Sequence, residues 1–402
     1  MHWLNTHRTI HPTRYWLRAL WLALIVAGCG GGVDSGGTGT TPASYANGPI
    51  TGFGSVIVNG VRFDDSKAVV TDDDGGGSNR DKLRLGMTTE IRGSAITPDA
   101  TGTLVSTASS IAFGSDILGR VDSIDLAAKR LVVLGQGVDV NAATVFDDES
   151  LSGGLPTVAV GDVVEVYALF NAATGRYTAT RIERKNGKVE AYRLRGLVSR
   201  LDVVAKTFNI GTERISYAGF TASAPVTPAD GNFLRVRLQT TKVAGVWLVD
   251  RFKDGAPKPQ NRDDVRLEGR ISSFTSPTLF SVNGVAVNAS AIGPVAGLAL
   301  GVRVEVEGTA SDGVLLASKL KIKTEDEAGN QEFELRGQIT SVDAANLSFV
   351  LRGVTVVYSI TDPKTEFKKG TAADLKKDAD VEARGVLSAD GARLLAVRID
   401  FK

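Results

Sequence analysis

The stretch Phe333–Asp343, FELRGQITSVD, carries Phe333, Leu335, Gly337 and Ile339 on one face. Apolar residues at period two over such a length read as a strand with one buried side. A glycine on that side marks a sharp bend or a close backbone approach, as at the corner of a small barrel. The pattern recurs upstream as VRLEGRISSF (265–274), YRLRGLVSRLD (192–202), DILGRVDSID (116–125) and, more weakly, GPITGFGSVI (48–57). With Gly52, Gly119, Gly196, Gly269 and Gly337 as the shared glycines, the intervals are 67, 77, 73 and 68 residues, so five units of about 70 fill the chain from 48 to 402.

Each unit continues in the same order. A second segment carries Gly-Val or an equivalent: VIVNGVRF (56–63), LVVLGQGVDV (131–140), LFSVNGVAV (279–287) and SFVLRGVTV (348–356). After a loop come a fourth strand, as in MTTEIRG (87–93), VVEVYA (163–168) or VRVEVEG (302–308), and a fifth, as in RYTATRIE (176–183) or VLLASKLKI (314–322). The fold class expected is all-β: a tandem array of about five small five-stranded OB-like β-barrels. A helix would be short, near TAADLKK (371–377). A seven-stranded sandwich needs more residues than one unit has. The expected divisions are 1–28 and 29–47, then barrels at 48–115, 116–187, 188–260, 261–330 and 331–402.

At the N-terminus Arg8, Arg14 and Arg18 precede the apolar run ALWLALIVA (19–27), then Gly28 and Cys29. The run is about half the ~20 residues a transmembrane helix needs, so residues 1–28 read as a signal peptide. Val26-Ala27-Gly28-Cys29 resembles the bacterial lipobox, which implies lipidation at Cys29. Gly30 after the cysteine resembles outer-membrane rather than inner-membrane sorting. Residues 29–47, rich in Gly, Ser and Thr, read as a flexible tether.

Processing would remove His2, His7 and His11, all the histidines, and acylate the one cysteine. The mature chain would then lack the groups for Ser-His-Asp or Cys-His catalysis and for His/Cys zinc sites, leaving carboxylate or lysine chemistry. It would hold 43 Lys+Arg against 45 Asp+Glu, a net charge of −2. Near neutrality argues against nucleic acid as a partner.

GFGSVIVNGVRFD (52–64) with LRLGMTTEIRG (83–93) resembles the bacterial domain of unknown function 5666 family, small β-barrel repeats carried by envelope lipoproteins. The first unit carries the resemblance most specifically; the third departs furthest, with FNIGTERISY (208–217). The resemblance implies a barrel fold and no catalytic residues or cofactor.

Three features compete as sites. Asp72, Asp73 and Asp74 before three glycines suggest calcium, but consecutive aspartates lack the alternation of a calcium loop, and a solvated turn is the expectation. Glu90, Glu165, Glu305 and Glu382 recur in the fourth strand, and alternation predicts that they face solvent, paired with cations such as Arg92, Lys319 and Lys321. Trp247, the single tryptophan after residue 28, sits in an apolar strand pattern and is expected in the core. The function expected is a non-enzymatic, lipid-anchored string of barrels that binds or organises envelope proteins or glycans. The alternative is an oligosaccharide-binding or carboxylate-dependent glycan-active protein. No catalytic, metal or cofactor residue is assigned.

Overall fold

In the computed structural model, which describes residues 43–72, 75–220, 226–324 and 330–402, every long element is a strand. The signal segment, the three histidines, Cys29, the tether as far as residue 42, and Asp73 and Asp74 lie outside the described residues.

Barrel 4 shows the circuit. Its strands Arg262–Ser276, Leu279–Val282, Val285–Asn288, Arg303–Ser311 and Val314–Ile322 close in the order 1-2-3-5-4-1, antiparallel throughout except for the parallel pair of strands 3 and 5. The same circuit closes barrel 1, barrel 2, barrel 3 and barrel 5. That is the OB topology the sequence predicts. The helical piece near residue 371 is one 3-10 turn, Ala372–Asp374.

Strands 2 and 3 meet in a two-residue turn with positive φ at both positions: Asn59-Gly60, Leu134-Gly135, Asn283-Gly284 and Arg352-Gly353. Such primed turns match the twist of the strands they join. The first turn residue lays its side chain over the strand-1 glycine. A Cβ on Gly119 or Gly269 would overlap Leu134 or Asn283, and one on Gly48 would stand 2.5 Å from Asn59 Oδ1. In barrel 3 the turn itself begins with Gly211, and Gly196 makes room for Ile210.

This register corrects the reading of the first unit. Gly48 pairs with Thr89 as Gly269 pairs with Val304 and Gly337 with Val381, so Gly48, not Gly52, is the shared glycine. Gly52 serves another contact: a Cβ there would lie 2.7 Å from the Glu334 carbonyl of barrel 5. A second recurring device is a register shift between strands 4 and 5 at Gly93, Ala168, Leu238, Gly308 and Gly385. One extra residue bends the strand and tightens so small a barrel.

The barrels do not form a string. Residues 44–47 of the first strand run parallel to residues 264–267 of barrel 4, and Gly52 and Phe53 run parallel to Glu334 and Leu335 of barrel 5. Barrels 2 and 3 join through Ile117 and Leu118 against Leu194 and Arg193. The apolar cores follow these partners: barrels 1 and 5 share one, barrels 2 and 3 share another, and Tyr45 of barrel 1 inserts into that of barrel 4. A 70-residue unit alone buries a modest share of its surface, so pooling cores stabilises each member. Tyr45 also explains why the first strand starts at Ala43, inside the segment read as tether: a fully buried aromatic outweighs the small polar residues around it.

Candidate functional site

Two polar regions lie between the barrels. At the first, where barrels 1 to 4 converge, strand 1 of barrel 3 places Arg195 and the entry to barrel 2 places Asp116. Arg195 Nη1 donates to Asp116 Oδ1 at 2.8 Å, Nε to the Gly255 carbonyl at 2.5 Å, and Nη2 to the Asn283 carbonyl at 3.5 Å. The Ala168 amide donates to the other Asp116 oxygen at 2.9 Å. Nearby, Asn283 donates to Asn47 Oδ1 and the Glu268 carbonyl, and Arg303 binds the Glu268 carboxylate at 2.6 Å. The cavity left is about 70 Å³, and Asp116, Arg195 and Glu268 in its lining are bound into the joint. The arrangement fastens barrels together.

The second region is a groove of about 530 Å³ between barrels 1 and 2, a size that suits a small ligand or a polymer segment. Met87, Phe113, Leu118 and Tyr167 form its apolar part. Glu165 and Glu183, opposite one another on strands 4 and 5, are bridged by Lys185, which lies 3.0 Å from Glu183 and also contacts Glu165. Arg193 approaches Glu165 at 3.5 Å. Arg181, almost fully buried, binds Glu183 at 2.5 Å and Asp147 at 2.8 Å, and donates to the Leu85 carbonyl of barrel 1 at 3.3 Å.

Burial alone would push the Glu183 pKa up, but the Arg181 and Lys185 charges outweigh it and hold the carboxyl at about 2. A general acid for glycoside cleavage needs the opposite, a carboxyl held protonated near neutral pH. Among the described residues the displaced carboxylates all move downward: in Asp139, Glu183 and Glu382 arginine and lysine partners outweigh the desolvation that acts first, while hydrogen bonds lead the shift at Asp64, Asp99, Asp343, Asp374 and Asp400.

The strand-4 glutamates do not face open solvent as alternation predicts. Glu165 and Glu382 are buried. Glu382 is held by Arg384 at 2.6 Å and Lys402 at 2.7 Å, and Glu305 by Lys323 at 3.2 Å. Glu90 accepts from the Tyr45 hydroxyl at 2.8 Å, with Arg92 at 3.9 Å. Alternation identifies the face turned away from a barrel's interior; neighbouring barrels and long cationic side chains then cover that face. Lys319 pairs with Glu307 at 2.9 Å, while Lys321 stands opposite Glu305 in register.

Asp72 uses its carboxylate to accept from the Gly76 amide at 2.9 Å, and Gly75 donates to its carbonyl at 3.0 Å, the bonding of a capped turn. Among the described residues no three His, Cys, Asp or Glu side chains converge as a metal site. Trp247 is buried, with its indole nitrogen 2.6 Å from Glu213 and Lys242 over its ring.

OB barrels bind oligomers through the face of strands 2 and 3. In every barrel that hairpin is engaged by another barrel, in barrel 5 through the Thr355 hydroxyl, which donates to Asp148 of barrel 2 at 2.5 Å, and through Arg352, which lies over the Phe53 ring of barrel 1. Asn59 donates to the Arg266 carbonyl at 3.2 Å, Asn283 meets Asn47, Gln136 donates to the Ile210 carbonyl at 3.0 Å, and Thr212 donates to the Gly135 carbonyl at 3.0 Å. Among the described residues the exposed large hydrophobics are all Val, Leu or Ile, and the aromatic rings are at most half-exposed.

Residues 119–183, 268–321 and 336–400 match the family model described as Domain of unknown function (DUF5666). The chain carries repeated DUF5666 domains. The matches fall on barrels 2, 4 and 5, whereas the sequence resemblance is read most specifically in barrel 1; barrels 1 and 3 share the circuit of the DUF5666 barrels and lie outside the matched segments. No curated protein matches the chain.

Proposed function

We propose that this protein is a non-enzymatic, lipid-anchored module of the bacterial cell envelope, attached to the outer membrane through Cys29, which binds or organises other envelope components. The observation that carries the reading is the fate of the barrels' usual ligand faces. In all five barrels the strand 2–3 hairpin is engaged by another barrel, so the five act as one body that meets partners through its outer charged surface. The interiors are filled by apolar side chains. The signal segment and the near-neutral mature charge support an envelope protein without nucleic acid as a partner.

The test is crosslinking of the tagged full-length protein in cells, followed by mass spectrometry. A specific envelope partner is expected, lost when residues 48–402 are replaced by an unrelated domain. Separately, Cys29→Ala should abolish acyl labelling and membrane retention; retention with label intact would end the lipoprotein reading.

One observation favours a second reading. Glu165 and Glu183 stand directly opposite one another in a groove with room for a ligand, a pair of carboxylates of the kind glycan chemistry uses, and a substrate would have to displace Lys185 for Glu183 to act as an acid. Release of sugar fragments from purified cell-wall glycan, lost in Glu183→Gln, would establish it.

A further inference from the structure

We propose that the outer face of strands 1, 4 and 5 of barrel 3 is a binding site for a phosphate-bearing anion. The inference rests on the reading of the protein as a binding module and supplies the chemistry of a ligand. On this face Arg193 stands beside Arg237, Arg237 beside Arg251, and Arg235 beside Lys253. The matching positions elsewhere mix cations with carboxylates or neutral residues: like pairs such as Glu165–Glu183 in barrel 2 and Arg384–Arg398 in barrel 5 occur, but none of these faces is cationic throughout. In barrel 4 Glu307 stands between Arg266 and Lys319, and Glu305 faces Lys321. In barrel 5 Arg336 faces Glu382, and in barrel 2 Tyr167 faces Arg181.

Like charges directly opposite across an antiparallel pair are destabilising. Five cations on three adjacent strands are a concentration of like charge that the barrel circuit does not require, since none of the four sibling barrels gathers so many at the matching positions. Carboxylates stand at the rim: Asp250 is 3.3 Å and Glu190 3.8 Å from Arg237, and Glu165 is 3.5 Å from Arg193. Between the side chains the surface dips into a cavity of about 110 Å³, lined by the five cations with Val236 and Phe252.

The geometry selects phosphate over a single carboxylate. Strands about 4.8 Å apart, with same-face residues about 6.8 Å apart along each, set the cations on a grid in which one ligand group reaches several. A phosphate carries about −1.5 to −2 charges on three oxygens and addresses two or three cations at once. Guanidinium forks take such oxygens in pairs, and four of the five cations are arginines. Arg193 also lines the groove between barrels 1 and 2, whose charged lining is mixed, with Lys82, Arg84 and Lys185 beside Asp72, Asp147, Glu149, Glu165 and Glu183, and which leaves room for the rest of a larger ligand.

The experiment is calorimetric titration of the full-length protein in neutral detergent with inorganic pyrophosphate. Saturable binding that weakens with salt is expected. Arg237→Gln with Arg251→Gln should reduce affinity about tenfold or more, by loss of charge-assisted hydrogen bonds. Arg251→Gln alone, at an exposed position, should reduce it measurably with unchanged circular dichroism and melting temperature. Lys319→Gln, at the matching ladder of barrel 4, should leave it intact. No saturable binding at low salt, undiminished binding in the double variant, or an equal loss in Lys319→Gln overturns the assignment. Displacement of pyrophosphate by dihexanoyl phosphatidic acid supports a lipid headgroup as the source, and failure to displace supports a free phosphate. Capture of an envelope partner without pyrophosphate binding keeps the contact role and removes this site, whereas glycan turnover removes the contact role.

Discussion

The Arg195 guanidinium meets the Asp116 carboxylate at 2.8 Å where barrels 2, 3 and 4 converge, and neither side chain is more than a tenth exposed. Removing both charges from water costs several kcal/mol, offset only when the other donors and acceptors are also satisfied, as they are by Gly255, Asn283 and Ala168. Arg195→Ala leaves a buried carboxylate without its cation and is expected to destabilise by about 3–5 kcal/mol, read as a lower urea midpoint. The double variant Asp116→Asn, Arg195→Met should be milder than Arg195→Ala. A wild-type midpoint in Arg195→Ala would show that the pair does not hold the joint.

The strand-1 glycine and the turn side chain above it form a coupled pair. Gly269→Ala forces a Cβ into Asn283 and should cost about 1–3 kcal/mol, the usual cost of overpacking. Glycine suits the positive φ of Asn283, so Gly269→Ala with Asn283→Gly should recover most of that loss. The check is a double-mutant cycle, and additive single effects would refute the coupling.

Barrels 1 and 5 meet at Gly52 and at the ion pair of Arg62 with Glu334, whose second contact measures 2.6 Å. The obstacle to a larger residue at 52 is a backbone carbonyl, which cannot rotate away as a side chain would. Gly52→Val should therefore loosen the joint between barrels 1 and 5 and leave that between 2 and 3 alone. Hydrogen exchange is expected to rise in residues 333–339 and stay unchanged in residues 192–198; a uniform rise would point to global destabilisation instead.

Acid stability follows from Glu183. Its folded pKa of about 2 lies below the unfolded value of 4.5, so the ionised form stabilises the fold above pH 4.5, and that contribution is lost as pH falls toward 2. Glu382, displaced in the same direction, adds to the loss. Melting temperature measured against pH should drop across this window, and Glu183→Gln should flatten the drop while lowering stability at neutral pH. An unaltered acid limb in Glu183→Gln would contradict the assignment.

Much of a single barrel was legible in the chain because its causes are local. Period-two alternation sets the strands, and Asn-Gly or its equivalent sets the hairpin between strands 2 and 3. The misreadings arose where a second barrel intervened. Gly52 lies in a glycine-rich stretch and matches by spacing, yet only the pairing of Gly48 with Thr89 shows which glycine sits under the turn. Glu165 and Glu382 alternate as solvent-facing residues do, and pairing with cations is expected of them, but only the folded structure shows that Lys185, Arg384 and Lys402 lie over them and that both are buried. The cations of barrel 3 lie apart in the chain, in residues 192–202, 233–238 and 246–253, and only the register that sets Arg237 beside both Arg193 and Arg251 gathers them on one face.

By itself the sequence determined five barrel units, their strand order and their turns, since hydrophobic period and turn chemistry act over a few residues. Which barrels touch was decided by tertiary structure alone. Barrel 1 pairs with barrels 4 and 5, more than two hundred residues away, because a buried Tyr45, a bare Gly52 and an Arg62–Glu334 bond fit those surfaces. Such fits depend on side-chain shape and charge across two folded surfaces, and they take form only once both barrels have closed.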